Sequence, residues 1–326
     1  MSLARSGDAW KVGGLIAVLA IALLLPAIAP DPATTNVAVF TVMYVGLATA
    51  WNIMGGYGFG SYTLGLLLAR IGMAGGYAPF LIVPAAGLAT AALALGIGWF
   101  ALRTRAATFV IVTIAFMFML QLLAENLVGL TGGGGGLSYP VPPWGGDYFN
   151  TPFYYAMLAL ALLSLAISWR IRRSKFGLGL LAIRDDEDKA LAVGVPTRAF
   201  KLTAFVISAA LVGMIGGVYG YYVTYIYPQF VIDPLIGISM VLMVFLGGLG
   251  TLTGPVLGAV ILEPAQLYLA YNYGASRLYL VFYAAVFLIV ILVLPRGIVP
   301  SVGRLISDRR ARAGPSAPAA AKAVAP

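Results

Sequence analysis

The chain contains no cysteine and no histidine. Those absences exclude thiolate or imidazole metal sites, Cys nucleophiles and Ser-His-Asp triads. Charge is scarce as well, at 10% of 326 residues. Val12–Pro30, Pro32–Ala69, Ile71–Leu102 and Ala106–Ala124 hold no Asp, Glu, Lys or Arg at all. No Gly-Lys-Ser/Thr occurs anywhere, so the chain has no phosphate-binding loop of the P-loop kind.

What fills the space is apolar. The hydrophobic share is 61%, against about 45–50% for soluble domains. A helix crosses the hydrocarbon core with roughly 20 apolar residues. The expected fold is therefore all-α: a polytopic transmembrane helical bundle of about nine or ten spans with discontinuous Gly-rich helices. Candidate crossings fall at 12–30, 33–54, 56–72, 78–102, 106–124, 153–169, 202–226, 235–250, 255–273 and 278–295. The first, preceded by Arg5 and Lys11, mimics a signal peptide but reads as an uncleaved first helix. The net charge of +9 fits a positive-inside bias better than nucleic acid, because the basic residues cluster between apolar runs.

Lys and Arg set the sides. Both termini and Arg103 are expected on the cytoplasmic side; the loop 125–152, without Lys or Arg, is expected to be periplasmic. Parity between Lys11 and Arg103 then demands a crossing from the short, glycine-rich 55–72 segment, or a re-entrant segment there. Residues 1–300 form the expected transmembrane domain, and 301–326 a disordered basic Ala/Pro-rich cytoplasmic tail.

One charged island interrupts this pattern. Residues 170–201 carry eight Lys/Arg and four Asp/Glu. Phe176, Leu180 and Ile183 fall on one helical stripe. A second short helix is expected to start at Asp185 or Asp186 and stop at Gly194, before Pro196. Such a segment is either a solvated topology signal or two amphipathic helices offered to a partner's groove.

From within the island the chain reads on, Ser174 to Gly217, as "SKFGLGLLAIRDDEDKALAVGVPTRAFKLTAFVISAALVGMIGG". This stretch resembles the coupling segment and following helix of the branched-chain amino acid ABC transporter permeases. "LTGGGGGL" (Leu130–Leu137) and "VFLGGLGTLTGPVLGAVIL" (Val244–Leu262) are similar to two further motifs of that family. The resemblance implies that 170–201 is a cytoplasmic coupling loop, with Phe176, Gly177, Ile183, Arg184, Asp185, Glu187, Ala190 and Gly194 as coupling residues. It implies no catalytic residue, no metal and no cofactor bound by this chain, and ATP and Mg on partner subunits. The implied partners are two cytoplasmic ATP-binding subunits, a second homologous permease subunit and a periplasmic substrate-binding protein. The implied location is the bacterial inner membrane. "MGGYGFGSYT" (Met54–Thr63) echoes "LGGLGTLTGP" (Leu246–Pro255), as internal repeats would. It departs from the family pattern, however: roughly a dozen residues are missing after Tyr57, including the family's His, which leaves that span short.

Gly250, Gly254 and Gly258 are spaced for close helix packing or for lining a path, and Pro255 suggests a break. Glu263 is the deepest ionisable residue; it is either a path residue or an interfacial carboxylate. Asn52, Gly247, Gly248, Gly250, Pro255 and Glu263 are the candidate translocation path. The expected function is translocation of branched-chain or related small amino acids by an ATP-driven importer through alternating access. The alternative is an ion-coupled secondary transporter of a small polar solute, which would draw on Glu263. Catalysis within the membrane is disfavoured by the absent His, Cys and paired carboxylates.

Overall fold

The computed structural model describes residues 20–53, 75–104 and 106–273, with 281, 284–285, 288–289, 292 and 297–301. The expected span at 56–72, most of those at 12–30 and 278–295, and nearly all of the 301–326 tail lie outside the described residues.

Residues 20–28 are helical. They are followed by α1 (Pro32–Trp51), α2 (Ala78–Ala101), α3 (Ala106–Asn126), α4 (Asn150–Arg172), α5 (Lys175–Asp185), α6 (Glu187–Ala192), α7 (Thr197–Val223), α8 (Pro234–Gly247) and α9 (Gly254–Tyr273). The protein is an all-α polytopic membrane bundle. Among the described residues, five helical segments are long and apolar enough to cross a membrane, or six if α3 and the sharply bent turn after it count as one. α9 has the length but is interrupted by Glu263 and Pro264, and is not among them.

Helix ends follow local chemistry. Asp31 caps α1 by accepting the Thr34 amide at 3.1 Å, and Asp233 caps α8 through the Leu235 amide at 2.8 Å. Pro32 and Pro234 open those helices at positions whose amides have no helical partner.

Apolar burial does not drive helices together inside lipid, so close contact between small residues must. α2 presents Ala86, Gly87, Ala91, Ala94 and Gly98 to α7, while Leu81, Leu88 and Leu95 face outward. A methyl on Gly87 would come within 2.8 Å of the Ala210 carbonyl, and one on Gly98 within 2.8 Å of Leu202. Gly46 of α1 lies against Ala161 of α4 and Ile215 of α7. Ser208 of α7 donates to the Ala50 carbonyl at 2.8 Å. α8 and α9 are closer still: a methyl at Gly258 would overlap the Met243 carbonyl, and one at Gly247 the Gly254 carbonyl.

The bundle has chemically distinct ends. One gathers the ends of α1, α2, α4 and α8 with α5, α6 and the starts of α7 and α9. Arg103, Arg170, Arg172, Arg173, Lys175, Arg184, Lys189, Arg198 and Lys201 all lie there; these are all the Lys and Arg among the described residues. The far end carries Asp31, Glu125 and Asp233. There the 125–152 loop folds back: Leu137–Ser138 pairs antiparallel with Tyr225–Ile226. Its glycines serve backbone geometry, since Gly132, Gly133 and Gly136 have positive φ. Residues 53 and 75 lie at opposite ends, flanking the undescribed 54–74 stretch: Asn52 bonds Thr251, whereas the Gly76 amide bonds the Tyr221 hydroxyl.

Because Gly258 has no room for a methyl, Gly258→Ala is expected to cost about 1–3 kcal/mol by overpacking. Gly237→Ala, with nothing within 4 Å of the added carbon, is the neutral control. Thermal unfolding in detergent checks the pair; equal melting temperatures would contradict the packing described.

Candidate functional site

Two sets of sequence-predicted residues converge at the basic end. The first is the break between α8 and α9. Gly248 ends α8 at φ +125°, and Gly250 follows at φ +73°, a region that L side chains rarely adopt. Thr251 then starts the next helix: its hydroxyl donates to the Gly248 carbonyl at 2.7 Å and accepts the Gly254 amide at 3.0 Å. Pro255 is buried in the first turn of α9, where its missing donor costs nothing. The chain therefore breaks ahead of Pro255, at the glycines, rather than at the proline.

Asn52, just past the end of α1, holds this break. Its side-chain oxygen accepts the Gly250 amide at 3.1 Å and its nitrogen donates to the Thr251 carbonyl at 3.0 Å. One amide thus satisfies two backbone groups that no helix can serve. Gly297 closes on the other side, against Gly248 and the Phe245 carbonyl.

The second set is the charged island. Ser174 caps α5 by accepting the Gly177 amide at 3.1 Å. Asp186 caps α6 by accepting the amides of Asp188 and Lys189 at 3.1 and 3.0 Å. The Lys189 amide, its ammonium at 3.0 Å and the Asp188 amide hold the Asp186 carboxyl below its ordinary range. α6 ends before Gly194, whose φ is +87°. These are the two short helices that the sequence predicts.

The island is folded onto the bundle. Gly177 lies against the Ile171 carbonyl, and Gly179 against the Phe200 ring. Phe176 meets Phe200 with ring centroids 5.0 Å apart. Glu187 pairs with Lys201 of α7 at 2.5 Å, with both side chains mostly covered. Ala190 is buried. Phe176, Leu180 and Ile183 are thus half-buried on their own protein. The apolar residues left open are Leu178, Leu181, Leu191 and Val193, the last 78% exposed. A shallow groove beside them is lined by Trp99, Leu191, Pro196, Arg198 and Leu202.

Arg184 joins the two sets. It is half-exposed, lies 3.4 Å from Asp185, and its guanidinium sits over Gly250, where a methyl would come within 2.7 Å of Nη1. Asn52, Gly248, Gly250 and Arg184 therefore form one cluster. Gly247 packs just above it, beneath the Gly254 carbonyl. Glu263 stands apart, nine residues up α9 and 2% exposed. It is an interior carboxyl group rather than an interfacial one. Neither the Asn52 clasp nor the Glu187–Lys201 pair could be found by spacing alone, since they join residues 198 and 14 positions apart.

Fold and sites together define a class: a polytopic membrane bundle with a folded charged platform beneath a broken, glycine-rich helix pair. The family model described as "Branched-chain amino acid transport system / permease component" matches residues 35–291, and the chain belongs to that family. It is similar to the high-affinity branched-chain amino acid transport system permease protein LivM of Escherichia coli (strain K12), with 28% identity over 286 residues. That match covers 76% of this chain and 66% of LivM, so the chain spans just under two thirds of this relative. It is also similar to LivH of Salmonella typhimurium, 26% identical over 288 residues, covering 79% of this chain and 90% of LivH. No solved structure matches.

Asn52→Ala removes both bonds to the break and leaves two backbone groups unserved. The expected loss is about 1–3 kcal/mol, read as a lowered melting temperature of the purified protein. An unchanged value would mean that the break holds itself.

Proposed function

We propose that this chain is the membrane-spanning permease subunit of an ATP-driven importer, moving branched-chain or related small amino acids across the inner membrane by alternating access. Family membership supports the transported class. The observation that carries the mechanism is the contact of the charged platform with the α8–α9 break through Arg184.

The basic end faces the cytoplasm in this reading, because Lys and Arg are retained on that side. The same rule assigns both termini to the cytoplasm. Two cytoplasmic ATP-binding subunits grip the α5–α6 platform, one on this chain and one on a second homologous permease subunit. Leu178, Leu181, Leu191 and Val193 enter their grooves as helix-borne apolar anchors. ATP and Mg belong to those subunits, and this chain is not an enzyme. Closure of the subunits pushes the platform; Arg184 and the Glu187–Lys201 pair pass the motion to the α8–α9 break and to α7. The far end, with Asp31, Glu125 and Asp233, receives a periplasmic substrate-binding protein.

A second reading, an ion-coupled carrier, is favoured by the buried carboxyl group of Glu263. It requires uptake without ATP-binding subunits.

The test is leucine uptake by the assembled transporter in proteoliposomes. Uptake is expected only with ATP inside and both ATP-binding subunits present. Leu191→Asp with Val193→Asp is expected to weaken co-purification of those subunits about tenfold, with melting of the permease unchanged. Full retention of the subunits by that variant would refute the docking face. Proton-driven uptake by the permease alone would establish the carrier instead.

A further inference from the structure

Glu263 is buried among helices and has no ion-pair partner among the described residues. Among the described residues its Oε2 meets no donor, and neither does the buried Oε1 of Gln266. Three residues apart on α9, the two side chains share one face of the helix. Leu257, Val260, Ile261 and Tyr268 mark the outward face. The inward face packs on α1 and α8, and Tyr219 of α7 lies within electrostatic reach of the Glu263 carboxyl. Nine residues of helix place Glu263 about 14 Å from the basic end, close to half the roughly 30 Å hydrocarbon thickness.

This pairing is chemically one-sided. Glu263 and Gln266 offer two free acceptors at mid-depth, and every described Lys and Arg lies at the bundle's end. An interior carboxyl without a partner is among the least favourable groups a membrane protein holds, and such groups mark binding or conduction sites. An alkylammonium group supplies what is missing: one positive charge and three N–H donors. A metal cation would ask for more oxygen ligands than these two side chains give. A bare proton would neutralise Glu263 and leave one further acceptor to be met.

We propose that Glu263 and Gln266 bind the α-ammonium group of the transported amino acid as it passes the middle of the bundle. The proposal rests on the amino acid permease reading. It adds which atoms hold the substrate and what they select: a primary ammonium, rather than the carboxylate or the apolar side chain. Oxo- and hydroxy-acid analogues of the same shape lack the charged donor and are rejected.

The test uses the assembled transporter with its ATP-binding and substrate-binding partners. Glu263→Gln keeps the shape and removes the charge. It is expected to lower leucine uptake about tenfold or more, mainly through KM, while the melting temperature does not fall, since the change removes an unpaired buried charge. Glu263→Asp should recover part of the loss, and Gln266→Leu should lower uptake less than Glu263→Gln. In the wild-type protein, leucine and isopentylamine should slow carbodiimide labelling of Glu263, whereas 4-methylpentanoate should not. Wild-type KM in Glu263→Gln, or no protection by leucine and isopentylamine, overturns the ammonium site while wild-type uptake keeps the permease reading intact. Absence of leucine uptake by the wild-type transporter overturns the permease reading itself.

Discussion

The Asn52 side chain spans a gap that no regular structure closes. Where α8 ends and α9 begins, Gly248 and Gly250 turn the chain through conformations that leave backbone groups without helical partners. Inside or beside a membrane such groups must be met from elsewhere in the protein. Asn52 meets two of them, from the end of a helix nearly two hundred residues earlier. With that clasp in place, the other features of the basic end follow. Gly247 and Gly258 bring α8 and α9 into backbone contact, Gly297 closes the far side of the break, and Arg184 rests on its surface.

Arg184 gives the charged island its structural meaning. A stretch of Lys and Arg could simply mark one side of a membrane. Here it is folded, capped at Ser174 and Asp186, and pinned to α7 by Phe176–Phe200 and by Glu187–Lys201. A pinned platform could transmit force, as the proposed function requires, whereas a solvated loop would absorb it. The apolar face left open is the second row, Leu178, Leu181, Leu191 and Val193, and not the stripe that the helical period picks out first.

Much of this was legible in the sequence. Charge-free runs gave the all-α membrane class, and the excess of Lys and Arg between them pointed to one end of the bundle. The two island helices were legible because caps and stops are local: Ser174, Asp186 and Gly194 act within a few residues of themselves. Which way an amphipathic stripe faces is not local. Phe176 turns inward because Phe200 receives it, with Gly179 letting α5 lie close to that same ring, and its own period carries no trace of that. The break next to Pro255 was placed within a few residues, but glycine rather than proline makes it, since a proline in a first helical turn breaks nothing. Glu263 stood out as a charge in an apolar run. Its depth and its unpartnered neighbour Gln266 needed three dimensions.

The most direct measurement of the central claim is a distance across the joint between platform and break. Since the chain has no cysteine, spin labels at Asp185→Cys and Leu249→Cys report on that joint alone. Both positions are exposed. In the assembled transporter, the label-to-label distance should stay constant between nucleotide-free and ATP-bound states, while distances from either label to α2 change together. If the platform label moves and the Leu249 label does not, the two are not one mechanical unit, and the account fails.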